Sequence, residues 1–436
     1  MKMLLAIYTQ IEIFHDKKIN NCRVSLMTNR IISNSFYSII DQALSIGLNL
    51  ILTILFAKYL GAKSLGQYAL GLAIVGILAI FTNFGITSIM SREIAKSSDK
   101  TKLYLGNALG IKLFISFPLL ILLTIVTVNI FGYRYDTAYI IILIAIYNTS
   151  TTSVAYIGSA FVSLHRNDKL LKINIINKFI SLLGASILLS YGYKLTELLY
   201  LFIIISSVLF IYAIIQVKTI VPNFKIIFNK RFNKKYILLS FPLVMASASE
   251  FINLRIDTVF IGSMMNEIEV GFYSAAYNLF FGASLIPNAL SKVFLPNFIN
   301  CYKVSKEKAF KLKSKYFFLF FIYSVVIGLI FLLLSDQLIE LIYGNEFYKS
   351  TIVLKYLSFA LLVIVLNRLY IYTLIALKED KYYFKITFYG MLVNLFLNYV
   401  LILNYGIIGA AMSTIVTESV VLVLAHVKIK KIKLCE

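Results

Sequence analysis

Apolar runs of about 20 residues recur along the whole chain, each ended by a short polar gap, and a helix of that length crosses a hydrocarbon layer of ~30 Å. The pattern predicts twelve spanning helices. The first six lie at 34–57, 66–90, 106–130, 137–162, 171–192 and 196–217. The rhythm repeats at 236–262, 270–298, 316–334, 350–377, 386–403 and 407–427. No segment shows the sustained alternation of an outer-membrane barrel. The expected fold class is an all-α membrane protein, and an even number of crossings puts both termini on one side.

Composition agrees: 60% of residues are hydrophobic, 14% are charged, and mean hydropathy is +0.84. The net charge of +22 adds orientation. Thirty-one of the 42 Lys and Arg residues lie in the N-terminal segment, the C-terminal tail and alternate gaps, as in the runs Lys225–Lys235 and Lys303–Lys315. The other gaps hold only Lys58, Lys63, Arg134, Lys194 and Lys349. Basic residues gather in short cytoplasmic loops, so both termini and the basic gaps are expected in the cytoplasm. Near anionic membrane lipids these runs need no nucleic acid as partner.

Cys22, Cys301 and Cys435 all fall on the cytoplasmic side, where thiols stay reduced. They form no CxxC or His–Cys spacing, and His15, His165 and His426 are scattered, so neither metal nor cofactor is expected. Residues 1–33 read as a cytoplasmic segment with neither a signal-peptide core nor a cleavage site. A translation start at Met27 would make what precedes it a dispensable extension; a native peptide from 1–26 excludes this.

The longest basic gap, 218–235, divides six spans (34–217) from six (236–427), and 428–436 forms a basic tail. The halves share local sequence. Leu55-Phe56-Ala57 precedes Gly66-Gln67-Tyr68 as Phe260-Ile261-Gly262 precedes Gly271-Phe272-Tyr273, at an offset of 205 residues in both places. Ser190-Tyr191-Gly192 and Asn404-Tyr405-Gly406 form a weaker echo. A duplicated bundle is expected, with a substrate path at the interface of its lobes near the midplane. Gly66 and Gly271 fit a loop turning into a helix. Gly106 and Gly110 read as a helix-packing pair and not as a Walker A loop.

These twin segments resemble the polysaccharide-export branch of the MOP superfamily, the Wzx-type oligosaccharide flippases. The residues that carry the likeness are Ala57 through Tyr68, Pro242, Asp257, Ile261-Gly262, Gly271-Phe272-Tyr273 and Pro296. Asn394 to Asn398 and Tyr405 to Ala410 add to it, and the likeness extends over about 34–427. It implies a MATE-like fold of two six-helix lobes around a cavity that opens alternately to each side. It also implies movement of an undecaprenyl-diphosphate-linked sugar unit between leaflets for O-antigen, capsule or other envelope glycans. A polysaccharide polymerase and a chain-length regulator are then natural partners.

Six basic residues remain inside predicted spans: Lys112, Lys178, Arg255, Lys292, Lys355 and Arg368. A cation at the bilayer centre costs about 2.5–3.5 kcal/mol or more unless it faces protein or a wet cavity. Lys112 and Lys355 sit near span ends and can snorkel. Arg255, Lys292, Arg368 and Lys178 are the candidates for contact with a diphosphate, which Arg grips bidentately. Arg255 could instead pair with Asp257 or Glu250, although those two acids share a helix face from which Arg255 points away, so partners on other helices are equally expected.

Asp41, Glu250, Asp257 and Glu418 are candidate proton- or sodium-coupling residues, since a buried carboxylate can exchange protons as a cavity opens to either side. Asp41 is similar in placement to the coupling Asp of some proton-driven exporters of the superfamily; a helix-end role is its bland alternative. Tyr273 and Tyr277 could stack on sugar rings or pack in the core. A drug exporter on the same fold would favour acids over intramembrane cations. A membrane polymerase would favour a large external loop with clustered acids, whereas here Asp336, Glu340 and Glu346 are scattered.

Overall fold

The computed structural model describes residues 22–435. Most of the predicted N-terminal segment, with Lys2, Lys17 and Lys18, lies outside the described residues. In chain order the long helices are α1 (Cys22–Thr82), α2 (Ile86–Lys96), α3 (Thr101–Ile111), α4 (Phe117–Ile130), α5 (Tyr135–Ser163), α6 (Asn167–Ser190) and α7 (Leu195–Ile220). They continue with α8 (Lys230–Met264), α9 (Glu267–Ala283), α10 (Leu285–Val304), α11 (Lys306–Tyr343), α12 (Tyr348–Ala376), α13 (Asp380–Tyr405) and α14 (Ile407–Cys435). Among the described residues there is no strand. Ten helical stretches are long and apolar enough to cross a membrane.

The first of these stretches is a hairpin. Gly61 takes φ 73°, where a side chain would be strained, and the helix doubles back there. The rings of Phe56 and Tyr68 stand 5.1 Å apart, whereas twelve residues of straight helix would separate them by ~18 Å. With α1 counted as two legs, and α8 covering the span predicted at 236–262, every predicted crossing falls on helix. Helix begins at Cys22, earlier than predicted, so the start of α1 extends into the segment read as lying outside the first span.

Three predicted spans are broken. The second stops at Thr82, where Phe84 and Gly85 take left-handed conformations before α2 restarts. The third contains a π-helical turn, Lys112–Ser116, between α3 and α4. The eighth is interrupted at Ser284, between α9 and α10. Hydropathy is insensitive to such breaks because each lies within an apolar run.

Lipid is as apolar as a leucine side chain, so helices in a membrane associate through close packing and interhelical hydrogen bonds. The main core joins the two halves of the chain: Phe56, Leu65 and Leu70 of α1 pack in one cluster with Val270, Tyr273 and Phe280 of α9 and Leu354 and Leu361 of α12. A second cluster, with Ile86, Met90, Leu109, Phe161 and Tyr236, lies at the end of the bundle that carries the basic linker. That end is the linker end, and the opposite one the far end.

The linker itself is short, because α7 runs to Ile220 and α8 begins at Lys230. It lies along α3: the Ile227 amide donates to the Gly106 carbonyl (3.1 Å), and the Asn229 amide donates to Asn107 Oδ1 (3.0 Å). A Cβ on Gly106 would stand 2.7 Å from the Lys225 carbonyl oxygen, and one on Gly110 would strike that of Ile227. The small-residue pair therefore receives non-helical backbone, a correction to the helix-packing expectation. Irregular chain has unpaired backbone groups to satisfy, and only a side chain as small as hydrogen lets them come this close.

Candidate functional site

The far end is closed by the two segments that repeat in sequence. A Cβ on Gly66 would strike the carbonyl oxygen of Glu267, and one on Gly271 would strike that of Ala62. Each glycine thus meets the residue four positions before its counterpart, so the offset of 205 is a spatial symmetry as well as a repeat. The role is close backbone approach, beyond the turn expected from sequence. Polar groups reinforce it: Thr137 Oγ1 donates to Glu267 Oε1 (2.6 Å), and the Ala62 amide donates to Glu346 Oε1 (3.0 Å). Gln67 Nε2 donates to Thr137 (2.9 Å), and Lys349 pairs with Glu269 (2.5 Å). Towards the linker end, α10 leaves this contact and packs on α11 and α12.

In the second half of the chain, α8, α12, α13 and α14 line a cavity of about 50 Å³ bounded by Glu250, Asn253, Asn367, Arg368, Tyr383 and Glu418. Arg368 lies 3.7 Å from Glu250, a partner on another helix. Asn367 Nδ2 donates to Glu418 Oε2 (2.6 Å) and to the Glu418 carbonyl (2.8 Å). Asn253 and Asn367 each hold a buried side-chain oxygen with no hydrogen-bond partner among the described residues.

The eight predicted site residues therefore separate. Arg368, Glu250 and Glu418 share this cavity. Asp257 does not: it is buried and accepts from the Tyr273 hydroxyl and from the Thr258 amide (2.8 Å). A seven-residue spacing put Glu250 and Asp257 on one face, yet Glu250 is exposed and Asp257 enclosed. Arg255 pairs with neither acid among the described residues; its guanidinium stands 6.0 Å from the ring centroid of Tyr277. Tyr273 and Tyr277 are buried and stacked on one another, at 5.8 Å, which makes them core residues. Lys292 is exposed on α10.

Asp41 and Lys178 each bond to an asparagine in the first half. Asn174 Nδ2 donates to both Asp41 carboxylate oxygens (2.9 and 3.0 Å), and Lys178 Nζ donates to Asn49 Oδ1 (2.8 Å). Asn174, Asn177 and Lys178 line a cavity of about 460 Å³ with Ser45, Tyr147 and Thr151.

Of the two lysines expected to snorkel, Lys355 pairs with Asp336 (2.9 Å). Lys112 does not snorkel. It is fully buried on the π turn, where Nζ donates to Asn83 Oδ1 (2.8 Å) and lies 5.9 Å from the Tyr156 ring centroid. The partner comes from the unforeseen break after Thr82, so proximity to a span end was a misleading signal. Asn83→Leu is expected to strand this buried amine and lower stability by about 3 kcal/mol. Adding Lys112→Met should restore most of it; equal thermal midpoints for the single and double variants would show that Lys112 is not held as a cation.

The closed far end, the broken spans and the two polar cavities inside an apolar bundle define a multi-pass transporter fold of two six-helix lobes. Solved structures share it. The lipid II flippase MurJ, in an inward closed conformation, matches with a TM-score of 0.71 at 20% identity, covering 91% of this chain and 87% of that one. An inward-facing multidrug-resistance MATE transporter of the MOP superfamily matches with a TM-score of 0.68 at 15% identity, covering 88% and 94%.

Residues 31–301 match the family model described as polysaccharide biosynthesis protein, and the chain belongs to that family. It is 25% identical over 413 residues to the capsular polysaccharide biosynthesis protein CapF of Staphylococcus aureus, covering 92% of this chain and all of that one. It is 24% identical over 377 residues to the probable low-salt glycan biosynthesis flippase Agl15 of Haloferax volcanii, covering 85% and 78%.

Proposed function

We propose that the chain flips undecaprenyl-diphosphate-linked oligosaccharide units across the bacterial cytoplasmic membrane, for O-antigen, capsule or another surface polysaccharide. The carrying observation is a bundle closed at the far end by a reciprocal glycine crossing, with Arg255, Arg368 and Lys178 held inside it. Likeness along most of the chain to a probable glycan flippase supports this reading. The lobes 34–217 and 236–427 move as units about the 218–235 linker, in alternating access, with both termini and the basic loops in the cytoplasm. Arg255, Lys292 and Arg368 offset the lost hydration of the diphosphate. A polymerase and a chain-length regulator take up the unit outside.

Loss of the chain is expected to leave a lipid-linked sugar unit on the cytoplasmic leaflet, read by lipid extraction and mass spectrometry. Normal surface glycan with altered drug tolerance would overturn the proposal. Proton or sodium coupling falls to Asp41, Glu250, Asp257 and Glu418, and the unpartnered oxygens of Asn253 and Asn367 beside two of these acids support it. Amide replacement of each acid, with flipping measured against an imposed ion gradient, tests the coupling; gradient dependence unchanged in all four removes it.

A further inference from the structure

The cavity of the first lobe has a chemistry that the diphosphate does not explain. On the first leg of α1, Asp41, Ser45 and Asn49 recur every four residues, the spacing of one helix face. On α6, Asn174, Asn177 and Lys178 do the same at three and four. Of these, Ser45, Asn174, Asn177 and Lys178 line the cavity of about 460 Å³, where Thr151 of α5 adds a hydroxyl and Val162 and Leu170 form an apolar side. Polar groups on spanning helices are expensive unless partnered or wet. A structural water occupies roughly 30 Å³, so this space is many waters larger than packing would leave, and its size is that of a ligand pocket.

The charge balance decides what enters. Lys178 stands on the wall, and the Asp41 carboxylate, outside the lining, is bonded to Asn174 of that wall, so one anion offsets one cation. Both are already held, by Asn49 and by Asn174. A diphosphate would meet no surplus cation here. Side chains that both donate and accept, with the Tyr147 ring beside them, suit a neutral ligand rich in hydroxyls.

We infer that this cavity is the sugar subsite: it takes the neutral saccharide of the lipid-linked unit beyond its first sugar, while the diphosphate stays with Arg255. The inference rests on the flippase reading above. Thr151→Val removes a hydroxyl that otherwise bonds only to carbonyls of its own helix (3.2 and 3.0 Å), so folding is spared. Asn177→Leu removes an amide of similar size.

The test uses full-length protein in proteoliposomes with two probes: the lipid-linked unit that accumulates in cells lacking the chain, and the same lipid trimmed to its first sugar. Each variant is expected to slow flipping of the full unit about tenfold and of the trimmed one less than twofold. Wild-type protein that moves both probes, with variants that slow both equally or neither, overturns the subsite alone. Wild-type protein that moves neither probe overturns the flippase reading and the subsite with it.

Discussion

Gly66→Val and Gly271→Val are each expected to abolish surface-glycan export, by more than a hundredfold, while the protein still reaches the membrane. At both positions the new Cβ meets a backbone carbonyl of the facing lobe, Glu267 in one case and Ala62 in the other. No rotamer change relieves a clash with backbone, so the lobes must separate. Separation also breaks the Thr137–Glu267 and Ala62–Glu346 hydrogen bonds. A hydrogen bond to a charged group is worth about 1.5–3 kcal/mol, so losing both moves the closed state by several kcal/mol, at 1.4 kcal/mol per tenfold. A cysteine in place of the buried Gln67 reports the change, because a membrane-impermeant thiol reagent should label it at least tenfold faster in the valine variants. Gly282→Ala is the control, since a Cβ there meets no atom within 4 Å. Wild-type export with unchanged labelling in Gly66→Val would remove the crossing from the transport cycle.

The crossing shows where sequence reading succeeds and where it stops. Apolar length located the helices, because a bilayer enforces that length on every span. The offset of 205 singled out Gly66 and Gly271, because a duplicated bundle repeats its contact points. Their contact remained hidden, because local sequence carries the geometry of a turn and not the identity of the backbone across from it. Lys112 failed for a related reason. Its acceptor, Asn83, exists only because the second span breaks, and Phe84, which takes φ 53° there, gives no warning of it. Glu250 pairs with Arg368, 118 positions away in the chain, and no periodicity connects them. Among the cations, sequence supplied the list; burial and partners divided it. Lys178 belongs to a neutral polar pocket, Arg368 to an acidic one, and Arg255 to neither.

Arg255→Met is expected to lower flipping at least tenfold without lowering thermal stability. A guanidinium in mid-span costs about 2.5–3.5 kcal/mol on insertion scales. Its contact with the Tyr277 ring returns roughly 0.5–2 kcal/mol, and Asp257, two residues on, is already engaged by Tyr273 and the Thr258 amide. The fold alone therefore gains nothing from this charge, and an apolar replacement of similar length should leave the melting temperature level or higher. In the proposed flipping of a diphosphate-linked unit, each charge-assisted bond to a phosphate oxygen lost in transit would remove about 1.5–3 kcal/mol, or some 10- to 100-fold. Arg255→Lys keeps the charge but not the fork that grips two oxygens at once, so it should fall between wild type and Met. Arg368→Met should also lower flipping and cost no more than about 1 kcal/mol of stability, since its 3.7 Å ion pair is with a half-exposed Glu250 carboxylate. If Arg255→Met lost stability and transport in proportion, Arg255 would be a structural residue; the separation of the two quantities is what identifies a charge kept for its substrate.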